Sequence, residues 1–119
     1  MWTKRLSLSL VLLATVSVCG GCSQSLTGAR FDIVALEYSF DPATIPTNAH
    51  TIEFALRNQG QVEHDFELIG PTGIVAHIDV VPPGITRATA VDLKPGTYSF
   101  ICTIADHAQR GMRGTLTVR

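Results

Sequence analysis

The chain is poor in the features that mark nucleic-acid-binding, multidomain or membrane-spanning proteins. Charge of neither sign dominates: nine Lys plus Arg stand against ten Asp plus Glu, so there is no cationic footprint for nucleic acid. Its 119 residues supply one compact domain and no multidomain machinery. There is no internal repeat and no low-complexity stretch. Crossing a bilayer takes about 20 predominantly apolar residues, and the longest such run, Leu6 to Val18, gives out at Gly20-Gly21, Ser23, Gln24 and Ser25. Cysteine is scarce as well, with only Cys19, Cys22 and Cys102, too few for a disulfide framework.

What is present at the N-terminus is the layout of a secretory leader: Lys4 and Arg5, a short apolar run, then small residues. The small residues before Cys22 resemble the lipobox of bacterial lipoproteins, in which the cysteine is lipidated and becomes the first mature residue. The expectation is therefore a signal peptide over residues 1–21, lipidation at Cys22, a flexible tether over residues 22–29 and a folded domain over residues 30–119. Cys19-Gly-Gly-Cys22 has the spacing of a redox pair, but such pairs belong beside a βαβ pattern, and this one lies inside the targeting segment. Losing Lys4 and Arg5 leaves a mildly acidic mature chain. An acylated Cys22 leaves Cys102 alone, and a single thiol in an exported protein calls for a reason.

Beyond residue 30 no helical period persists, while period-two alternation recurs between Pro- and Gly-marked turns, which indicates an all-β sandwich or barrel. In Thr51 to Arg57, Ile52, Phe54 and Leu56 share one face, and Glu53 and Arg57 the other, as in a half-buried strand. Similar segments are His64 to Ile69, Ile74 to Val81, Thr86 to Leu93, Thr97 to Cys102 and Thr115 to Val118. Asn58-Gln59-Gly60, Gly70-Pro71-Thr72-Gly73, Pro82-Pro83-Gly84 and Lys94-Pro95-Gly96 supply the reversals. Seven or eight strands in such a length correspond to a Greek-key sandwich.

Strand parity turns His64 inward with Phe66 and Leu68, and Cys102 inward with Tyr98 and Phe100. After Cys102 the chain reads Thr103-Ile104-Ala105-Asp106-His107-Ala108-Gln109-Arg110-Gly111-Met112, which spaces a thiol, an imidazole and a thioether as Cys-x4-His-x4-Met on one loop. A lone inward His is more often a satisfied core residue, but with this loop His64 completes His2Cys plus Met, the ligand set of a blue-copper electron-transfer centre. Cys contributes a soft thiolate, imidazoles suit both copper oxidation states, and a weak thioether leaves a geometry acceptable to each. Zinc would accept Cys and His but not ordinarily a thioether. A nucleophilic Cys-His enzyme needs an accessible thiolate in an electropositive setting, unlike a cysteine that ends an inward-patterned strand.

Asn58 to Phe66, Gly96 to Cys102 and Gly111 to Leu116, with Tyr38-Ser39-Phe40-Asp41-Pro42, resemble the cupredoxin family over nearly all of residues 30–119. The Cys-x4-His-x4-Met spacing resembles that of rusticyanin-like members. The resemblance implies a cupredoxin-like sandwich with one type 1 copper held by His64, Cys102, His107 and, weakly, Met112. It also implies that Asp65, where the family often has Asn, bonds to Thr103 and pins the ligand loop to the strand of the first ligand. Asp106 replaces a frequent Gly before the second His; if that position has positive φ, Asp tolerates it, and its carboxylate favours Cu(II).

Elsewhere the residues read as ordinary. His50 lies in a polar turn and His77 alternates with Ala76 and Ile78, so both are expected to be structural or solvated. Arg110 and Arg113 flank Met112 as solvated charges or as a docking aid for an acidic partner, and Ile104, Ala105 and Ala108 form an apolar surround for His107. The leading expectation is an exported, lipid-anchored, monomeric electron carrier with no catalysis of its own, passing one electron between an extracytoplasmic redox donor and acceptor. The alternative is a copper carrier or resistance protein for delivery or sequestration. Met-rich or His-rich tracts would suit that role, and here Met1 and Met112 are the only methionines.

Overall fold

Alternating apolar side chains over short segments leave the backbone to find its hydrogen bonds between strands. The computed structural model describes residues 28–119 and contains nine strands: β1 (Gly28–Leu36), β2 (Ser39–Asp41), β3 (Thr44–Thr47), β4 (Thr51–Asn58), β5 (His64–Gly70), β6 (Gly73–Val81), β7 (Thr86–Asp92), β8 (Gly96–Ile101) and β9 (Arg113–Val118). The leader assigned to residues 1–21, Cys22 and the tether as far as residue 27 lie outside the described residues. Gly28 and Ala29, expected in the tether, pair with Thr51 and Ile52 and so belong to β1.

The strands form two mixed sheets, ordered β2-β1-β4-β7 and β3-β9-β8-β5-β6, which pack as the all-β Greek-key sandwich expected from the alternation. Parallel pairing joins β1 to β4 and β3 to β9; the other neighbours are antiparallel. The strand count exceeds the expected seven or eight because β2 and β3 have three and four residues, too few to show a period.

Between the sheets lie Ile33, Ile52, Phe54, Leu56, Phe66, Leu68, Phe100 and Leu116, all essentially inaccessible to solvent. Phe66 is central: its ring centroid is 5.3 Å from those of Phe54 and Phe100 and 6.0 Å from that of Phe40. Such tilted and edge-on pairs suit the aromatic quadrupole. β9 passes close to Phe100 at Gly114, where a Cβ would come within 2.1 Å of the ring. A register shift between His64 and Phe66 sets His64 opposite Val81 but Phe66 opposite Ile78. The extra residue in β6 is a bulge of the kind that re-aims side chains beside functional sites.

Candidate metal centre

His64 opens β5 and is fully buried with Phe66 and Leu68. Cys102 directly follows β8 and keeps the inward parity of Tyr98 and Phe100. β5 and β8 are adjacent, with Glu67 opposite Ile101, so the register carries both residues to one end of the sandwich.

From Cys102 the chain makes a compact loop held by its own backbone. His107 N–H donates to Ile104 C=O at 3.0 Å, Arg110 N–H to Asp106 C=O at 3.0 Å and Gly111 N–H to Ala108 C=O at 3.1 Å. Its base is closed by Cys102 N–H on Met112 C=O at 3.1 Å and Met112 N–H on His107 C=O at 3.0 Å. Arg113 donates Nε and Nη2 to Ala108 C=O at 3.1 and 2.7 Å. The non-glycine residue of this loop with positive φ is Ala105, at 45°, so the condition raised for Asp106 does not arise there: the tight turn falls one residue earlier.

The loop brings His107 to the other two donors. One ligand atom each from His64, Cys102 and His107 lies within 4.8 Å of the others, and Cys102 Sγ is 3.4 Å from His107 Nδ1. Cys102 is wholly buried and His107 nearly so, at 7 % exposure. Met112 is fully buried in the same core, its backbone fastened to both Cys102 and His107 as above.

Among the described residues, the buried side-chain polar atoms without a hydrogen-bond partner are the two ring nitrogens of His64. Orphaned buried polar atoms are costly and rare in native folds. Burial, followed by the neighbouring His107, lowers the His64 pKa, and burial pushes the Cys102 thiol up to about 11. At neutral pH the metal-free site thus holds a thiol and an uncharged His64 imidazole. A soft sulfur, an imidazole with both nitrogens unpartnered at His64 and a second imidazole at His107 fit a copper ion.

Surrounding groups hold the donors in place. Thr103 N–H donates to Asp65 Oδ1 at 2.6 Å, and the Thr103 hydroxyl donates to Asp65 Oδ2, joining the ligand loop to β5. Asp106 accepts from Arg110 Nε at 2.8 Å, and that guanidinium holds its carboxyl below the usual range. The Asp106 carboxylate, expected to favour Cu(II), thus has a cation set against it.

Three participants are not apparent from the sequence pattern. Asn58 is fully buried and satisfied: its Nδ2 donates to Val62 and Val81 carbonyls at 2.7 and 2.8 Å, and its Oδ1 accepts Gly60 N–H at 2.9 Å. It shapes the β4–β5 loop that delivers His64. Tyr38, at φ of 69°, packs edge-on against His107 with centroids 5.0 Å apart, and the Arg110 guanidinium sits 4.4 Å over the Tyr38 ring. Glu37 approaches His64. The only local sign of any of them is Asn58 in a turn, which predicts a reversal and no contact with the centre.

His50 and His77 stand apart from the three-donor cluster, as expected. His50 Nδ1 is 3.2 Å from Leu93 C=O, and His77 is exposed beside Asp79.

Comparisons with known proteins bear on the family and the fold. Residues 8–118 match the family model of the Cupredoxin-like domain. The chain is 32% identical over 98 residues to the "Copper-resistant cuproprotein CopI" of Rubrivivax gelatinosus, an alignment covering 67% of this chain and 59% of that protein. Over 62 residues it is 27% identical to the "Iron uptake system component EfeO" of Escherichia coli strain K12, covering 52% of this chain and 16% of EfeO. Among solved structures, reduced auracyanin from the photosynthetic bacterium Roseiflexus castenholzii superposes with a TM-score of 0.68 at 23% identity, covering 78% of this chain and 97% of auracyanin. That likeness is one of fold.

Proposed function

The chain belongs to the cupredoxin-like domain family, and on that premise we propose that it is an exported, mononuclear type 1 copper protein that carries single electrons between a redox donor and acceptor outside the cytoplasm. The observation that carries this reading is the buried trio of His64, Cys102 and His107, with donor atoms within 4.8 Å of one another and both His64 nitrogens otherwise unused. His64 and His107 nitrogens and the Cys102 sulfur would hold the metal, with the Met112 thioether as a weak fourth donor. When bound, the ion would supply a Cu(I)/Cu(II) couple. The chain's part is to keep the donors dry and nearly fixed, which the loop's backbone bonds and the Asp65–Thr103 contact do. His107, the donor that retains some exposure, is the route for the electron, with Ile104, Ala105 and Ala108 around it. Nothing in this role requires the protein to be an enzyme. Export and lipidation at Cys22 rest on the leader pattern, and a lipid anchor would keep the carrier beside membrane partners.

A second reading, copper handling in delivery or resistance, is favoured by the 32% identity to a protein named for copper resistance. Titration with Cu(II), followed by visible absorption and EPR and then by ascorbate and ferricyanide cycles, separates the two. An intense thiolate-to-copper band at one equivalent that cycles without metal release is the expected result. A site that takes copper and loses it to a modest chelator on reduction would favour handling, and a protein that never forms the band would sink the electron carrier.

The raised thiol pKa has a measurable consequence for the metal-free protein. The folded chain keeps the Cys102 proton up to about 11, against 9.0 ordinarily, so this stabilisation is complete below pH 9 and is lost as pH rises to 11 and beyond. At 1.36 kcal/mol per pKa unit the loss is about 2–3 kcal/mol. Urea unfolding at pH 8 and 11 is expected to show that extra loss in the wild type and not in Cys102→Ala. Parallel pH dependence in the two proteins would contradict it.

A further inference from the structure

The two-residue turn between β1 and β2 touches both histidines. Tyr38 packs on His107, and Glu37 Oε1 lies 3.6 Å from His64 Nε2. The same oxygen accepts Gln61 N–H at 2.5 Å and Val62 N–H at 3.1 Å, both from the loop that leads into His64. The loop admits the carboxylate because residue 60 is glycine: a Cβ there would stand 2.2 Å from Oε1. Neighbouring carboxylates are otherwise engaged, Asp65 by Thr103 and Asp106 by Arg110.

We propose that Glu37 is a positioning residue for the metal centre, its carboxylate taking the Nε2–H of His64 so that Nδ1 is the nitrogen left with a lone pair for the ion. The separation of 3.6 Å is longer than a hydrogen bond, and the contact tightens when His64 is drawn on as a donor. A carboxylate behind a metal-bound imidazole selects the tautomer, orients the ring and raises its basicity. It also sets one negative charge on the far side of the ring, which favours Cu(II) over Cu(I). The effect on copper rests on the function proposed above; the tautomer of His64 belongs to the chain alone.

The test compares wild type, Glu37→Gln and Glu37→Ala. Long-range 1H–15N spectra of the metal-free, 15N-labelled protein are expected to show His64 as the Nε2–H tautomer in the wild type. Glu37→Gln, whose amide oxygen still accepts, keeps that tautomer, and Glu37→Ala mixes the two. With copper loaded, Glu37→Gln is expected to raise the midpoint potential by a tenfold change in Cu(I) preference, about 59 mV for a one-electron couple. Glu37→Ala weakens Cu(II) binding about 10–100-fold. The near-isosteric Gln variant keeps the test open if the Ala variant does not fold. A wild-type His64 protonated at Nδ1, or variants that leave both its 15N shifts and the potential unmoved, overturns the proposal. A wild type without the copper band whose His64 tautomer still responds to Glu37→Ala sinks the copper reading and upholds the pairing.

Discussion

Cys102→Ser is expected to yield a folded protein without the intense thiolate-to-copper band. Cu(II) affinity is expected to fall by at least about 100-fold, beyond the 10–100-fold cost of losing an outer partner of a ligand. The argument is chemical. The side chain at 102 is wholly buried, 3.4 Å from His107 Nδ1, so serine fits the space with one atom exchanged. That exchange removes the soft donor, and an alcohol does not ionise near neutral pH to replace it. The imidazoles remain, and they suit zinc or Cu(II) without giving the colour or the weak-thioether geometry. Absorption, EPR and chelator competition on variant and wild type check this. A band of wild-type intensity in Cys102→Ser would remove the assignment of the centre.

The second large effect lies in the core. Phe66→Ala is expected to cost about 3–5 kcal/mol, because it deletes a buried ring and leaves a cavity that rigid neighbours cannot close. In a domain of this size that lowers Tm by more than about 10 °C. The loss reaches the centre directly: Phe66 stands two residues after His64 and packs on Phe100, two residues before Cys102. Urea unfolding of the metal-free protein measures it. Leu36→Ala, at a position 41 % exposed, is expected to stay within about 0.5 kcal/mol and serves as the control. A loss below about 1 kcal/mol for Phe66→Ala would mean that the aromatic cluster is not the packing centre.

The contrast between what alternation reveals and what it hides follows from range. β4, β5 and β8 announce themselves because each buries one face, and a one-residue slip would expose every apolar side chain. Cys102, His107 and Met112 are legible together because they share a single loop, and His64 because its parity matches Phe66 and Leu68. Asp65 with Thr103 becomes visible only through the family resemblance, since nothing local joins residues 38 apart. Glu37 carries no such sign, and the segment opened by Tyr38 carries the resemblance without any hint of contact with the centre: both reach the histidines only because β1 runs parallel to β4 and the turn after β1 falls over the loop before β5. The positive φ of Ala105 shows the same limit at short range, because nothing in Thr103-Ile104-Ala105-Asp106 marks the alanine for it.

The pairing of β5 with β8 also governs when the centre can exist. Until those strands meet, across loop closures that are slow for non-local β topologies, the nascent chain holds His107 and Cys102 on one flexible segment and His64 on another. Such a chain offers Cys102, His107 and Met112 without His64, and holds none of them in place. The complete donor set therefore exists only once β5 and β8 are paired within the order β9-β8-β5.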